Sequence, residues 1–176
     1  HRGQESAGIV TCADGQFRVH KGMGLVSQVF KGKALASLKG SMAIGHTRYS
    51  TTGSSHHRNS QPLTVDCSKG QIAIAHNGNL TNAAQLREEL ELGGSIFQTT
   101  MDSEVVLHLM ARSTHLGLET ALKNTFSSLK GAYSLLLMTE DTMIAVRDPD
   151  GFRPLCLGKL KNGGAGKNGG WVIASE

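Results

Sequence analysis

The sequence predicts an α+β fold in which helices cover antiparallel sheets. Asp14-Gly15 between two β-prone segments is a strong hairpin signal. Glu140-Asp141-Thr142 joins two apolar segments as a second hairpin, and the helical patterns cluster centrally. Hairpins favour antiparallel sheets whose faces the helices must cover, so we do not expect a doubly wound parallel sheet.

In the first part of the chain, residues 6–11, 16–20 and 42–48 are predicted to be strands. Residues 25–38 have helical spacing that Gly32 interrupts, which predicts one or two short helices. Residues 51–70 are rich in Ser, Thr, Gly, His and Asn. They are predicted to be the longest irregular stretch, and such stretches are often functional.

In the second part, a short strand over residues 71–75 runs into His76-Asn77-Gly78-Asn79. One helix is capped by Thr81 or Asn82 and closed by Gly93-Gly94, another begins at Asp102 or Ser103, and a third covers residues 118–129. Further strands are predicted at residues 133–139, 143–147, 155–159 and 171–174. The total is about eight strands and three or four helices.

The composition indicates one globular domain over residues 1–176, with 39% hydrophobic and 18% charged residues. No apolar run approaches the roughly 20 residues of a membrane helix, so no membrane partner is expected. Cys12, Cys67 and Cys156 are widely spaced and form no Cys-x-x-Cys pattern. We therefore expect free thiols in the cytoplasm, a reducing compartment, without a disulfide framework or a zinc site.

The net charge of +4 is unevenly placed, since residues 1–60 hold eight Lys and Arg against two acidic residues. These basic residues are scattered singly and lack interleaved aromatic residues. A solvated or covered face is therefore expected, and nucleic acid is not an expected partner.

Three short segments carry groups suited to binding a free amino acid. Arg48 ends a strand among hydroxyl residues, where it could grip a carboxylate bidentately, or instead form a structural ion pair. Asn77 and Gly78 could form an oxyanion hole, or instead a hairpin turn. Asp102 could bind an ammonium group, or instead cap a helix, a role that Ser103 could take over.

The eight histidines do not predict a metal site. His56 and His57 are adjacent, so on regular structure they point apart, and no His-x-x-x-His pattern or carboxylate partner accompanies them. We expect no bound metal in these residues.

The order of four segments is more specific than any one of them: His1-Arg2-Gly3-Gln4, residues 45–51, residues 75–80 and Asp102-Ser103-Glu104. In this order they closely resemble class II glutamine amidotransferases, which use an N-terminal nucleophile, and the match extends over essentially the whole chain. Within that class, Gln4 and residues 49–53 are most similar to the amidophosphoribosyltransferase family. The sister glucosamine-6-phosphate synthases typically have a Trp where this chain has Tyr49.

The resemblance implies a four-layer αββα sandwich of the N-terminal-nucleophile hydrolase type. It implies that Arg48 binds the carboxylate of glutamine and Asp102 its ammonium group, that Thr51 is also substrate-binding, and that Asn77 and Gly78 stabilise the tetrahedral oxyanion. The ammonia released would pass to phosphoribosyl pyrophosphate and give 5-phosphoribosylamine, the first step of purine synthesis.

The chain departs from this family at its first residue, because His1 is not a cysteine, serine or threonine. Residues 171–176 also read as a strand that is still running. We therefore expect a fragment truncated at both ends, with no cofactor of its own. A phosphoribosyltransferase domain with Mg²⁺ and, in some members, an iron–sulfur cluster would lie outside it, in a homo-oligomeric parent protein. The alternatives are a sister amidotransferase and a non-catalytic glutamine-binding module.

Overall fold

The computed structural model describes residues 5–49, 56–68, 70–113, 117–160 and 169–175, which form nine strands and five helices. The strands are β1 Ser6–Ala13, β2 Gln16–Met23, β3 Met42–Arg48, β4 Leu63–Cys67, β5 Gly70–Leu80, β6 Gly131–Met138, β7 Met143–Arg147, β8 Cys156–Leu160 and β9 Gly170–Ala174. The helices are α1 Val26–Val29, α2 Lys33–Ser37, α3 Ala83–Leu92, α4 Glu104–Arg112 and α5 Leu118–Ser128, and a 3₁₀ turn covers His57–Asn59.

The first sheet has the antiparallel order β2-β1-β3. Its predicted hairpin turns at Asp14 and Gly15, whose φ angles of 53° and 70° suit the two central residues of a type I′ turn. On the other side, β1 pairs with β3 from Cys12 opposite Met42 to Ser6 opposite Arg48. Arg48 therefore stands at the end of this sheet.

The second sheet has the antiparallel order β4-β5-β6-β7. Its longest strand, β5, pairs with β6 as far as Leu80 but with β4 only as far as Ile74, which lies opposite Leu63. Beyond Ile74, the described residues of β4 give β5 no strand partner on that side.

The two sheets face each other across a small core, and three helices cover the second sheet. The inter-sheet core is formed by Val10, Cys12, Ile44, Ala73, Ala75 and Met138. A larger core on the other face of the second sheet includes Ile74 on β5, Leu90 on α3, Val106 on α4, Ala121 on α5 and Leu135 on β6.

Helix α1 completes the layers by packing on β1 and β2. His20 Nε2 on β2 lies 2.9 Å from the carbonyl oxygen of Val29, which fastens the helix to the first sheet. The order of layers is thus helix, sheet, sheet, helix, and the predicted αββα sandwich is confirmed. Strands β8 and β9 pair as a separate two-stranded sheet. Within the described ranges, every helix is too short or too polar to span a bilayer.

One prediction about irregular structure was wrong, and one open alternative is excluded. Residues 63–67 form β4, with Leu63 buried and Val65 packed against the larger core. Asn77-Gly78 is not a hairpin turn, because both residues lie within β5 and pair with β6. The remainder of the predicted irregular stretch includes residues 51–55 and 69, which lie outside the described residues.

Candidate active site

Arg48 is buried at the end of β3, where its side chain is 4% exposed. Its Nη1 lies 3.5 Å from Oε1 of Glu5, so the structural ion pair that the sequence left open is present. A guanidinium carries five N–H donors in a planar fork, so the pair with Glu5 uses only part of the donor capacity that bidentate binding of a carboxylate needs.

Asn77 and Gly78 lie near the end of β5, opposite Ser134 and Tyr133 of β6. Gly78 has a φ of 149°, which favours glycine. A Cβ at this position would overlap the carbonyl oxygen of Ala132 and lie 2.7 Å from Cα of Tyr133. Gly78 therefore allows two strands to approach closely at the point where an oxyanion hole was predicted.

Asp102 does not cap α4, because the N-cap position is Ser103 and no side-chain capping bond is present there. Its Oδ2 accepts a hydrogen bond from the main-chain N–H of Leu80 at 2.9 Å, and its Oδ1 accepts one from that of Ser103 at 2.8 Å. The same Oδ1 lies 3.3 Å from Nδ1 of His76. The carboxylate is therefore tied to the end of β5.

These contacts keep Asp102 ionised. Burial by itself would raise the pKa of this carboxyl group, but His76 and the N–H groups of Leu80 and Ser103 favour the charged form. The net result is a pKa below its ordinary value. A partly buried carboxylate that stays charged can bind an ammonium group.

His46 lies two residues before Arg48 and connects the first sheet to β5 at His76. Its Nε2 lies 3.0 Å from the carbonyl oxygen of His76, so we assign the proton to Nε2. Burial lowers the pKa of His46 to about 4, against the opposing effect of this hydrogen bond. At neutral pH, His46 is therefore an uncharged donor beside Arg48.

Sequence reasoning missed the central position of His76. Its imidazole reaches Asp102, its carbonyl oxygen contacts His46, and Asn77 follows it in the chain. The motif containing His76 is visible in the sequence, but the sequence analysis interpreted the histidines only as possible metal ligands. Gln61, which also contacts His76, had no sequence signal at all.

A cavity of about 260 Å³ adjoins Asn77, and its lining includes residues of β3, β5, β6 and β9. Its polar lining includes His46, Asn77, Ser134 and Ser175. Arg48 and Asp102 are not among the described residues that line it. The structure thus places Asn77 and His46 at one cavity, and Asp102 is hydrogen-bonded to the end of β5, the strand that carries Asn77. Arg48 lies on β3, two residues after His46.

Two other predictions concern Thr51 and metal binding, and both stay predictions. Thr51 lies outside the described residues, so its role stays a prediction. Among the residues that the structure describes, no group of three or more His, Cys, Asp or Glu side chains could hold a metal ion. Cys12, Cys67 and Cys156 are all free thiols.

Comparison with known proteins identifies the family. Residues 46–176 match the family model described as a glutamine amidotransferase domain. The chain belongs to the glutamine amidotransferase family. This assignment agrees with the order of motifs that the sequence presents, and it places the Arg48, Asn77 and Asp102 segments within the matched amidotransferase domain.

Curated relatives of the amidotransferase domain are amidophosphoribosyltransferases. The chain is 48% identical to that of Bacillus subtilis over its whole length, covering 36% of the relative. It is 53% identical to the chloroplastic enzyme of Vigna aconitifolia, again over its whole length, covering 35% of that protein. The chain thus spans about a third of the length of the curated relatives it matches.

Solved structures agree with this assignment. Glutamine phosphoribosylpyrophosphate (PRPP) amidotransferase from B. subtilis, complexed with ADP and GMP, matches with a TM-score of 0.87 and 46% identity. The match covers 98% of this chain and 36% of that chain. The described chain therefore has the fold of the matched third of this enzyme.

Proposed function

We propose that this chain is the glutaminase domain of an amidophosphoribosyltransferase. It would hydrolyse glutamine and deliver the ammonia to phosphoribosyl pyrophosphate, which gives 5-phosphoribosylamine at the start of purine synthesis. The observation that carries the proposal is identity of about half over the whole chain to two amidophosphoribosyltransferases.

In this proposal each end of glutamine meets an opposite charge. Arg48 binds the carboxylate and the ionised Asp102 binds the ammonium group, while Thr51 contributes to substrate binding. The amide of Asn77 and the main-chain N–H of Gly78 donate to the oxyanion that forms when the substrate amide is attacked. The convergence of β3, β5 and Asp102 around His76 supports these roles.

The proposed nucleophile is an N-terminal cysteine outside these 176 residues. The α-amine of such a cysteine has a pKa near 8, close enough to neutrality to accept the thiol proton. Cys12 is a poor substitute, because burial, together with the nearby Glu140, raises the pKa of its thiol.

Three further parts of the proposal concern the parent protein. We propose that it acts in the cytoplasm as a homo-oligomer, and the free thiols support a reducing compartment. Mg²⁺ and, in members that carry one, an iron–sulfur cluster are proposed to bind outside this chain.

The site assignment is tested by glutamine kinetics of the full-length protein. Arg48→Leu and Asp102→Asn should each raise the glutamine KM more than tenfold, because a lost charge-assisted pair costs about 2–5 kcal/mol. Activity with free ammonia should be unchanged, since the acceptor site is untouched. The exposed Arg18→Leu and Asp66→Asn variants are matched controls that should keep the wild-type KM.

Two results would contradict the proposal. An unchanged glutamine KM in both Arg48→Leu and Asp102→Asn would remove these residues from the site. Release of glutamate from glutamine without release of pyrophosphate from phosphoribosyl pyrophosphate would show that the parent protein is a different amidotransferase.

A further inference from the structure

The segment Asn59-Ser60-Gln61-Pro62, which we call connector 59–62, is buried although it belongs to no strand. Asn59 and Ser60 are fully buried, and Gln61 is 2% exposed. Buried polar side chains cost free energy unless they are hydrogen-bonded. The partners of this connector therefore indicate what it does.

Gln61 occupies the place of a missing strand residue. Leu63 of β4 lies opposite Ile74 of β5, so continuing that register by two residues would set Gln61 opposite His76. Its side-chain amide makes the contacts that a main chain would otherwise make. The N–H of His76 donates to Oε1 of Gln61 at 2.7 Å, and Nε2 of Gln61 donates to the carbonyl oxygen of His76 at 3.4 Å.

Both ends of connector 59–62 are held by other elements. Lys21 Nζ on β2 donates to the carbonyl oxygens of Ser60 at 2.9 Å and Pro62 at 3.3 Å, one on either side of Gln61. Asn59 Nδ2 donates to Oγ1 of Thr100 at 2.8 Å, and Thr100 N–H donates to Oδ1 of Asn59 at 3.1 Å. Gln61 is therefore presented to β5 by an anchored main chain.

His76 connects Gln61 to two parts of the candidate site, one through its main chain and one through its imidazole. Its main chain, held by Gln61 and His46, continues directly into Asn77. Its imidazole, 1% exposed, reaches Oδ1 of Asp102 at 3.3 Å. One residue thus connects the segment proposed to bind the oxyanion with the carboxylate proposed to bind the substrate ammonium.

We propose that Gln61 and His76 are positioning residues for the two halves of the site. Gln61 fixes the main chain that carries Asn77 and Gly78, and the imidazole of His76 fixes Asp102. This inference rests on the proposed function, and both residues act through others. The two residues should have separate kinetic effects. Changes at His76 should act on the KM, because Asp102 would bind the substrate, whereas changes at Gln61 should act on kcat, because Asn77 would stabilise the transition state.

The His76 arm compares two polar variants in the full-length protein. His76→Asn places an amide N–H near the position of Nδ1 and should keep the glutamine KM within about threefold of wild type. His76→Gln places its amide near Nε2, away from Asp102, and should raise the KM about tenfold. Equal effects in the two variants, or no effect in either, would overturn the role of His76.

The role of Gln61 is tested against a control residue near the start of β5. Gln61→Met removes the amide and should lower the glutaminase kcat about tenfold, with the KM within about threefold of wild type. Gln71→Met is the matched control, since Oε1 of Gln71 also accepts a main-chain N–H, that of Phe17 at 2.8 Å. It should leave both constants unchanged.

Further measurements separate positioning from stability. If Gln61→Met does not fold, Gln61→Glu keeps the acceptor for His76 N–H and should still lower kcat about threefold. A wild-type kcat in a folded Gln61 variant, or an equal loss in Gln71→Met, would overturn the role of Gln61. If Asp102→Asn raises the KM while His76→Gln does not, only this inference fails. If Asp102→Asn has no effect, the proposed site fails with it.

Discussion

At the scale of single residues, the candidate site depends on polar side chains that bond to main-chain atoms. Asp102 accepts from the N–H of Leu80, and His46 donates to the carbonyl oxygen of His76. These contacts orient the charged and amide groups before any substrate arrives. Preorganised donors and acceptors need no rearrangement during the reaction, which is why such groups stabilise transition states better than water does.

Asn77→Ala should lower the glutaminase kcat by about 10²–10³ and leave the glutamine KM nearly unchanged, as expected for a lost oxyanion donor. Steady-state kinetics of the full-length protein would measure both constants. Asn124→Ala, on the exposed side of α5, is the control and should match wild type. A change confined to the KM would instead make Asn77 a substrate-positioning residue.

The sequence proposed the charged and amide groups of the candidate site, whose roles stay predictions, but it did not reveal the side chains that contact them. Arg48, Asn77 and Asp102 follow or begin predicted elements, so motif order could locate them. The contact of Gln61 with His76 depends on where β4 stops pairing with β5. Residue types do not reveal that register, so Gln61 could not be found from the sequence.

At the scale of elements, β5 differs most from its prediction. The apolar run ends at Ala75, which predicted a short strand, yet pairing with β6 continues to Leu80. In this extension the main-chain N–H groups of His76 and Leu80 donate to the side chains of Gln61 and Asp102, and those bonds satisfy the backbone where β4 is absent. β4 was missed for a related reason, because the alternation of Leu63 and Val65 is short and follows a polar stretch.

Gly78→Ala should destabilise the protein by more than about 2 kcal/mol, since its φ is unfavourable and its methyl group would overlap the Ala132 carbonyl oxygen. Gly94→Ala is a matched control, because φ at Gly94 is 87° but a Cβ there would meet nothing within 4 Å. It should cost about 1 kcal/mol. Urea unfolding measures the difference, and equal costs would show that strand approach at Gly78 is not tight.

At the scale of the whole molecule, His46 makes the packing of the two sheets sensitive to acid. Its pKa is depressed from 6.5 to about 4 in the folded state, chiefly by burial. The unfolded state therefore binds a proton first as the pH falls. The stability that depends on neutral His46 is fully present above pH 6.5 and is lost as the pH falls through about 4.

Between these two pH values, the free energy of unfolding should fall by about 3 kcal/mol through His46. His46→Gln keeps a donor near the position of Nε2 but does not titrate, so this part of the loss should disappear. Urea unfolding across the range would compare the two proteins, and other groups cancel in the difference. Parallel curves for wild type and variant would contradict the burial of an uncharged His46.

The contacts around His76 also bear on how the chain folds. Those to Gln61, Asp102 and His46 join residues 15, 26 and 30 positions apart, and Asn59 and Thr100 are 41 apart. Helices α3 to α5 instead form through local bonds. Distant contacts must first overcome loop-closure entropy, so we expect them to form after the helices. A folding intermediate of this domain would therefore have helices but could not yet bind glutamine.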